Sequence, residues 1–182
     1  MPDKHIVKRI MYIFLAALAI FAMVNLFWYQ FKYKPYKEKM IKMHLNEDSE
    51  RPRYILNDNG YVYTVKMPGY LSFESGYLYV VSESHQDSAS FVADADGNLT
   101  ELNIPHVDMF IWPQLFSAAQ YRVTAYEETT SSWIIINSNG DYVADDSQSE
   151  AEQAKAKKLY EKYIQEIREL LDAAVKLWGN SI

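Results

Sequence analysis

The rhythm of apolar residues divides the chain into three stretches. From Ile10 to Phe31 no side chain is charged, and the run IMYIFLAALAIFAMVNLFWYQF shows no polar face at a helical period. These 22 residues, at about 1.5 Å rise each, predict a helix of roughly 33 Å, the thickness of a bilayer's hydrocarbon core. Lys8 and Arg9 precede the run, and Trp28, Tyr29, Lys32 and Lys34 sit at its far end, where indole rings and lysines favour the headgroup level. Asn25 is the notably polar residue inside. It suits either a hydrogen bond to a partner helix or a position near water at the interface.

Two other readings fit less well. A buried soluble helix is rarely apolar all round for six turns. A cleaved signal peptide would end near Ala17-Leu18-Ala19, leaving a further mostly apolar segment at the new N-terminus. The run is read as an uncleaved anchor. Its orientation is ambiguous by charge: five lysines follow it, against Lys4, Lys8 and Arg9 before it. The shape (a short basic head, one apolar stretch, a large domain behind) favours a domain outside the cytoplasm.

The second stretch alternates with period two. Segments of 4–8 residues rich in Tyr, Val, Ile, Thr and Trp are separated by Asn59-Gly60, Asp96-Gly97 and Asn139-Gly140, the dipeptides of tight hairpin turns. Gly76 is expected to close a fourth hairpin. Strands are predicted at 53–57, 61–67, 70–74, 77–82, 90–94, 98–102, 107–112, 120–127, 132–137 and 141–144. The turns recur about every 40 residues, near one propeller blade, but too few such units fit to close a propeller.

In the third stretch, from Gln153 to Trp178, apolar residues recur at three and four positions, as in an amphipathic helix. Ser149 with Glu152 forms a capping-box pattern, and Gly179 a stop. The fold class is therefore α+β: one transmembrane helix, an antiparallel β-rich domain of meander or sandwich type, and a long C-terminal helix packed on it. The expected divisions are a basic tail (1–9), the transmembrane helix (10–31), a basic juxtamembrane segment and linker (32–52) with a short helix over Tyr36–Leu45, and the domain (53–182), its helix at 150–178.

Charge sharpens this picture. Residues 1–42 carry eight basic and two acidic side chains, and residues 43–182 carry ten and 22, so the chain's net charge of −6 conceals halves of opposite sign. The basic segment suits anionic headgroups, whereas an acidic domain repels nucleic acid, and a DNA or RNA function is set aside. The absence of cysteine excludes disulfides, thiolate metal sites and cysteine nucleophiles.

Candidate chemistry is sparse. His85-Gln86-Asp87-Ser88 places triad residue types side by side in a polar loop, without a G-x-S-x-G elbow. His106 and Asp108, two apart, are expected on one face of a strand, where they would orient a base or hold a metal, but no third ligand follows by spacing. Asp94, Asp96 and Asn98 alternate like calcium ligands, yet Gly97 falls at the wrong position for an EF-hand. No cofactor is implied. Asn98-Leu99-Thr100 is a glycosylation sequon only by pattern.

The aromatic content is the remaining clue. Tyr61, Tyr63, Tyr77, Tyr79 and Trp112 are the candidate binding residues, forming a face for a partner or a glycan if the C-terminal helix leaves it uncovered. The expected function is a single-pass, membrane-anchored, non-catalytic interaction module. Its expected partners are membrane lipid through residues 10–31 and a protein of the membrane or envelope. The alternatives are an envelope enzyme or ligand-binding domain using His85, His106 and Asp108, and an accessory subunit of a secretion or conjugation apparatus.

Overall fold

The computed structural model describes residues 4–46, 53–72, 74–83, 86–93, 99–113, 119–127 and 130–179. Helix α1 (Lys4–Trp28) passes into a π-helical turn at Tyr29–Tyr33 and one α-helical turn, α2 (Lys34–Lys37). Pro35 accounts for the change of winding. It has no N–H to return to Phe31, and its ring crowds that carbonyl, so the chain widens by one residue per turn before it. Accordingly the Lys34 N–H bonds five residues back, to the Tyr29 carbonyl. This helical run is long and apolar enough to cross a membrane, and none of its apolar window is buried within the protein.

The helix expected over Tyr36–Leu45 is not formed. Lys42 adopts a positive φ of 74°, which reverses the chain, and His44–Asn46 becomes an edge strand, β1, with His44 opposite Ile55. The next strands are β2 (Arg53–Asp58), β3 (Tyr61–Lys66) and β4 (Tyr77–Ser82). Then come β5 (Gln86–Ala93), β6 (Leu99–Pro105), β7 (Val107–Trp112), β8 (Gln120–Glu127), β9 (Thr130–Ile136) and β10 (Tyr142–Val143). Eight of them form one open antiparallel sheet in the order β1-β2-β3-β4-β7-β8-β9-β10, a meander interrupted once. The interruption is a separate two-stranded ribbon of β5 and β6, set between β4 and β7.

Local sequence chemistry explains the turns. Asn59 and Gly60 both take positive φ, 52° and 79°, the pair of angles a two-residue hairpin of matching twist requires. Gly140, at φ 81°, turns β9 toward β10. The Asp96-Gly97 turn lies outside the described residues. None of the described residues of the strand expected at 70–74 is in a strand, and Gly76 does not close a tight hairpin. Pro68 cannot donate to a ladder, Leu71 takes a φ of 48°, and residues 67–72 and 74–76 lie outside any strand.

Helix α3 (Glu150–Trp178) crosses one face of the sheet. Its capping box is complete: the Ser149 hydroxyl accepts from the Glu152 N–H, and the Glu152 carboxylate accepts from the Ser149 N–H at 2.8 Å. Leu159, Tyr160, Ile167, Leu170, Leu171 and Ala174 bury their side chains against Val65, Leu78, Val80, Met109, Ile111, Val123 and Ile134. Each large apolar side chain so removed from water favours folding by about 1.5–3 kcal/mol.

The anchor-like helix is tied to the domain at four points. The Trp28 indole N–H donates to the Gly69 carbonyl at 3.3 Å, and its ring meets Tyr70 edge-on at 5.0 Å. The Tyr70 hydroxyl donates to Asn25 Oδ1, while Asn25 Nδ2 donates to the Phe21 carbonyl at 2.8 Å. Asn25 is thus satisfied within its own chain. The buried Tyr36 hydroxyl donates to the Gly76 carbonyl at 3.0 Å. Lys39 joins the end of α3 through Trp178.

Candidate functional site

The strand register separates the candidate residues onto two faces. Tyr61 and Tyr63 point toward α3. Tyr63, 4% exposed, meets Trp178 edge-on at 5.5 Å. Tyr61 is half-buried, and its phenol pKa is raised by burial first and then by the nearby Glu169 and Asp172 carboxylates. Tyr77, Tyr79 and Trp112 lie on the opposite face, since Tyr79 pairs with Phe110 and Val80 with Met109. The five expected binding residues therefore do not form one surface; three of them do.

That outer face carries a continuous ladder of rings and cations across five strands. The Lys66 ammonium lies 5.7 Å from the Tyr77 ring centre. Tyr77 and Tyr79 flank Phe110 at 5.3 and 4.9 Å, and Phe110 stacks on Trp112 at 5.9 Å. The Arg122 guanidinium then bridges Trp112 at 5.4 Å and Trp133 at 4.5 Å. Lys66 and Arg122 are the two basic residues between Tyr54 and Gln148. Both sit over aromatic faces, where ring quadrupoles attract a cation.

The ladder is only partly covered. Trp133 is 54% exposed, and Tyr77, Tyr79, Phe110, Trp112 and Arg122 are half-buried. Two open clefts flank Arg122. One, of about 570 Å³, is bounded by Ser131, Trp133, Asp145, Gln148 and Lys155. The other, of about 600 Å³, lies among Trp112, Gln120, Ile135 and Val143. Buried Arg122 Nε has no hydrogen-bond partner among the described residues.

At the inner end of this face Asp108 is 3% exposed. Its Oδ2 accepts from the Tyr126 hydroxyl at 2.9 Å and the Tyr79 hydroxyl at 3.2 Å. Burial raises its pKa, while hydrogen bonds from Thr124, Tyr126 and Tyr79 pull the other way. Asp108 in turn holds the two phenols above their ordinary pKa, second to burial. The carboxylate fixes the edge of the ladder by locking Tyr79.

His106 and Asp108 do not share a face. A bend at His106, just before β7, turns its ring under α3. There it stacks on Tyr163 at 5.5 Å, and its Nδ1 lies 3.2 Å from Glu166 Oε2. Two residues on, Asp108 faces the other side of the sheet. Helix α3 departs from helical angles at Tyr163, the residue against which His106 rests (φ −110°, ψ 16°). His85 and the Asp94-Asp96-Asn98 segment lie outside the described residues. Among the described residues no group of three or more His, Asp or Glu side chains is placed to hold a metal ion.

Sequence reasoning missed Phe110, Arg122 and Trp133 as members of the outer face. For Phe110 the signal was present in the alternation Asp108-x-Phe110-x-Trp112 along β7; for Arg122 and Trp133, on β8 and β9, it was not. No known protein family matches this chain, and no curated protein and no solved structure is significantly similar to it.

Proposed function

We propose that the protein is a single-pass membrane protein whose domain, held outside the cytoplasm, binds another protein of the same membrane or envelope through the outer face of its sheet. The observation that carries this reading is the ladder from Lys66 to Trp133. Rings and a guanidinium that are partly covered and flanked by clefts match the aromatic and arginine anchors that dominate protein interfaces. An acidic domain whose Lys66 and Arg122 are already held over rings favours a partner with a basic rim around an apolar centre. The reading is non-catalytic, because the histidine and the carboxylate with the most developed environments, His106 and Asp108, are each engaged on opposite sides of the sheet.

Site-specific photocrosslinking in intact membranes tests it. A benzophenone side chain at Trp133 is expected to capture a discrete protein, and Arg122→Glu to abolish that adduct. Adducts with lipid alone, or adducts unchanged by Arg122→Glu, would contradict it. A reporter fused after Ile182 and active only outside the cytoplasm is expected to be active.

A further inference from the structure

The loop between β3 and β4 makes a second approach to the apolar end of the anchor helix. From Met67 to Phe73 its sequence, MPGYLSF, has no charged residue, and Lys66 and Glu74 bracket it. Its tip is exposed: Tyr70 is 59% and Leu71 46% accessible. Leu71 takes a left-handed φ of 48°, a conformation a leucine rarely adopts.

The depth of this tip is set by what it touches. The Tyr70 hydroxyl is bound to Asn25, six residues before Phe31, where the uncharged run ends. At 1.5 Å per residue that is roughly 9 Å inside the run. Trp28, which holds Gly69 and Tyr70, is also inside it. Behind the tip, Tyr36 fastens the loop's other end at Gly76. If lipid surrounds the helix down to Phe31, lipid also surrounds whatever is held beside Asn25.

From this the geometry points to a second membrane contact: the tip Tyr70–Leu71 enters the acyl-chain boundary of the same leaflet and lies against the anchor helix. This rests on the helix being a bilayer anchor. The loop is apolar where it meets lipid and charged where it leaves it. The Asn25 amide, costly when facing hydrocarbon, is shielded by Tyr70. The consequence is orientational. A domain held by one flexible tether samples many tilts, whereas one pinned at both the helix and the loop presents its outer face at a fixed angle to the membrane.

The cysteine-free sequence makes the test direct. Leu71→Cys, Tyr70→Cys, Leu26→Cys and Val143→Cys, each labelled with the fluorophore NBD, are reconstituted as full-length chains in vesicles of phosphatidylcholine and phosphatidylglycerol. Quenching by lipids with a doxyl group high on the acyl chain is compared with quenching by aqueous iodide. The expected result is loss of emission to doxyl lipid at Leu71→Cys and Tyr70→Cys as large as at Leu26→Cys, with Val143→Cys quenched by iodide alone. Doxyl quenching at Leu26→Cys but iodide quenching at both loop positions would overturn the loop contact and leave the anchor standing. Loop positions shielded from both quenchers would mean that protein covers the tip, and would overturn it equally. Iodide quenching at all four would overturn the anchor itself.

Discussion

Trp178 and Lys39 hold each other by two hydrogen bonds of opposite sense. The indole N–H donates to the Lys39 carbonyl at 3.1 Å, and the Lys39 ammonium donates to the Trp178 carbonyl. The last turn of α3 is thereby closed onto the segment that leaves the N-terminal helix. Burial lowers the Lys39 pKa, with Glu38 opposing that shift. The same indole lies against Tyr63 in the core.

Trp178→Phe keeps an aromatic ring against Tyr63 and loses the indole donor. It is expected to cost about 1 kcal/mol, the net worth of one hydrogen bond. Trp178→Ala leaves a cavity as well and is expected to cost about 3–5 kcal/mol. Urea unfolding of the detergent-solubilised chain, followed by far-ultraviolet circular dichroism, distinguishes the two. Equal losses would show that the hydrogen bond, not the ring, supports the joint.

The cation between Trp112 and Trp133 is expected to contribute to stability as well as to recognition. Arg122→Met preserves much of the stem's packing and removes the charge. It is expected to lower stability by about 0.5–1 kcal/mol and to shift tryptophan emission as Trp133 becomes freer. An emission spectrum identical to the parent's would mean that the guanidinium does not rest on the indoles in solution.

Asp108 gives a pH dependence of definite sign. A carboxyl whose folded pKa is raised binds its proton more tightly in the folded state. Its contribution is therefore fully present below the unfolded value, near 4, and is lost as pH rises through the raised folded value. Glu127, Asp145 and Glu152, whose pKa values are lowered first by hydrogen bonds from Lys162, Ser147 and Ser149 respectively, act in the opposite sense. The difference between the parent and Asp108→Asn isolates the buried group. Stability of the parent relative to the variant is expected to fall with rising pH above about 4 in thermal unfolding. A difference independent of pH would show that Asp108 titrates normally.

Two glycines separate backbone strain from packing. At Gly60 an added Cβ meets nothing within 4 Å, but φ is +79°, so Gly60→Ala carries only the cost of the left-handed backbone, about 1–2 kcal/mol. At Gly76 an added Cβ would lie 2.5 Å from the Lys66 carbonyl oxygen and 3.0 Å from Pro68, so backbone must move. Gly76→Ala is expected to cost at least as much, about 1–3 kcal/mol. It should also weaken the Tyr36 contact, read as faster proteolysis of the loop between β3 and β4, which Gly60→Ala should leave unchanged.

Much of the architecture was legible because local chemistry and the fold agree. The Ser149–Glu152 box and the three- and four-residue spacing set α3, and Asn59-Gly60 set its hairpin. What escaped was decided at a distance. His44–Asn46 carries no strand signature and becomes β1 only because β2 offers it an edge. A strand is expected at 70–74, but Pro68 cannot join a ladder and Gly69 and Tyr70 are held by Trp28 and Asn25 instead. The outer-face ladder was legible only in part. Pairs such as Arg122 with Trp133 depend on which strands are neighbours, and alternation along one strand does not reveal that. The bend that parts His106 from Asp108 likewise depends on Glu166 and Tyr163, some 60 residues away.

Both the anchoring and the loop contact require that α1 lie in lipid. The direct measurement is fractionation of the full-length chain after cell lysis without detergent, with alkaline extraction of the membrane pellet. The predicted result is that the intact chain stays in the pellet through alkaline extraction and is released only by detergent. Recovery of the intact chain in the aqueous supernatant would contradict it.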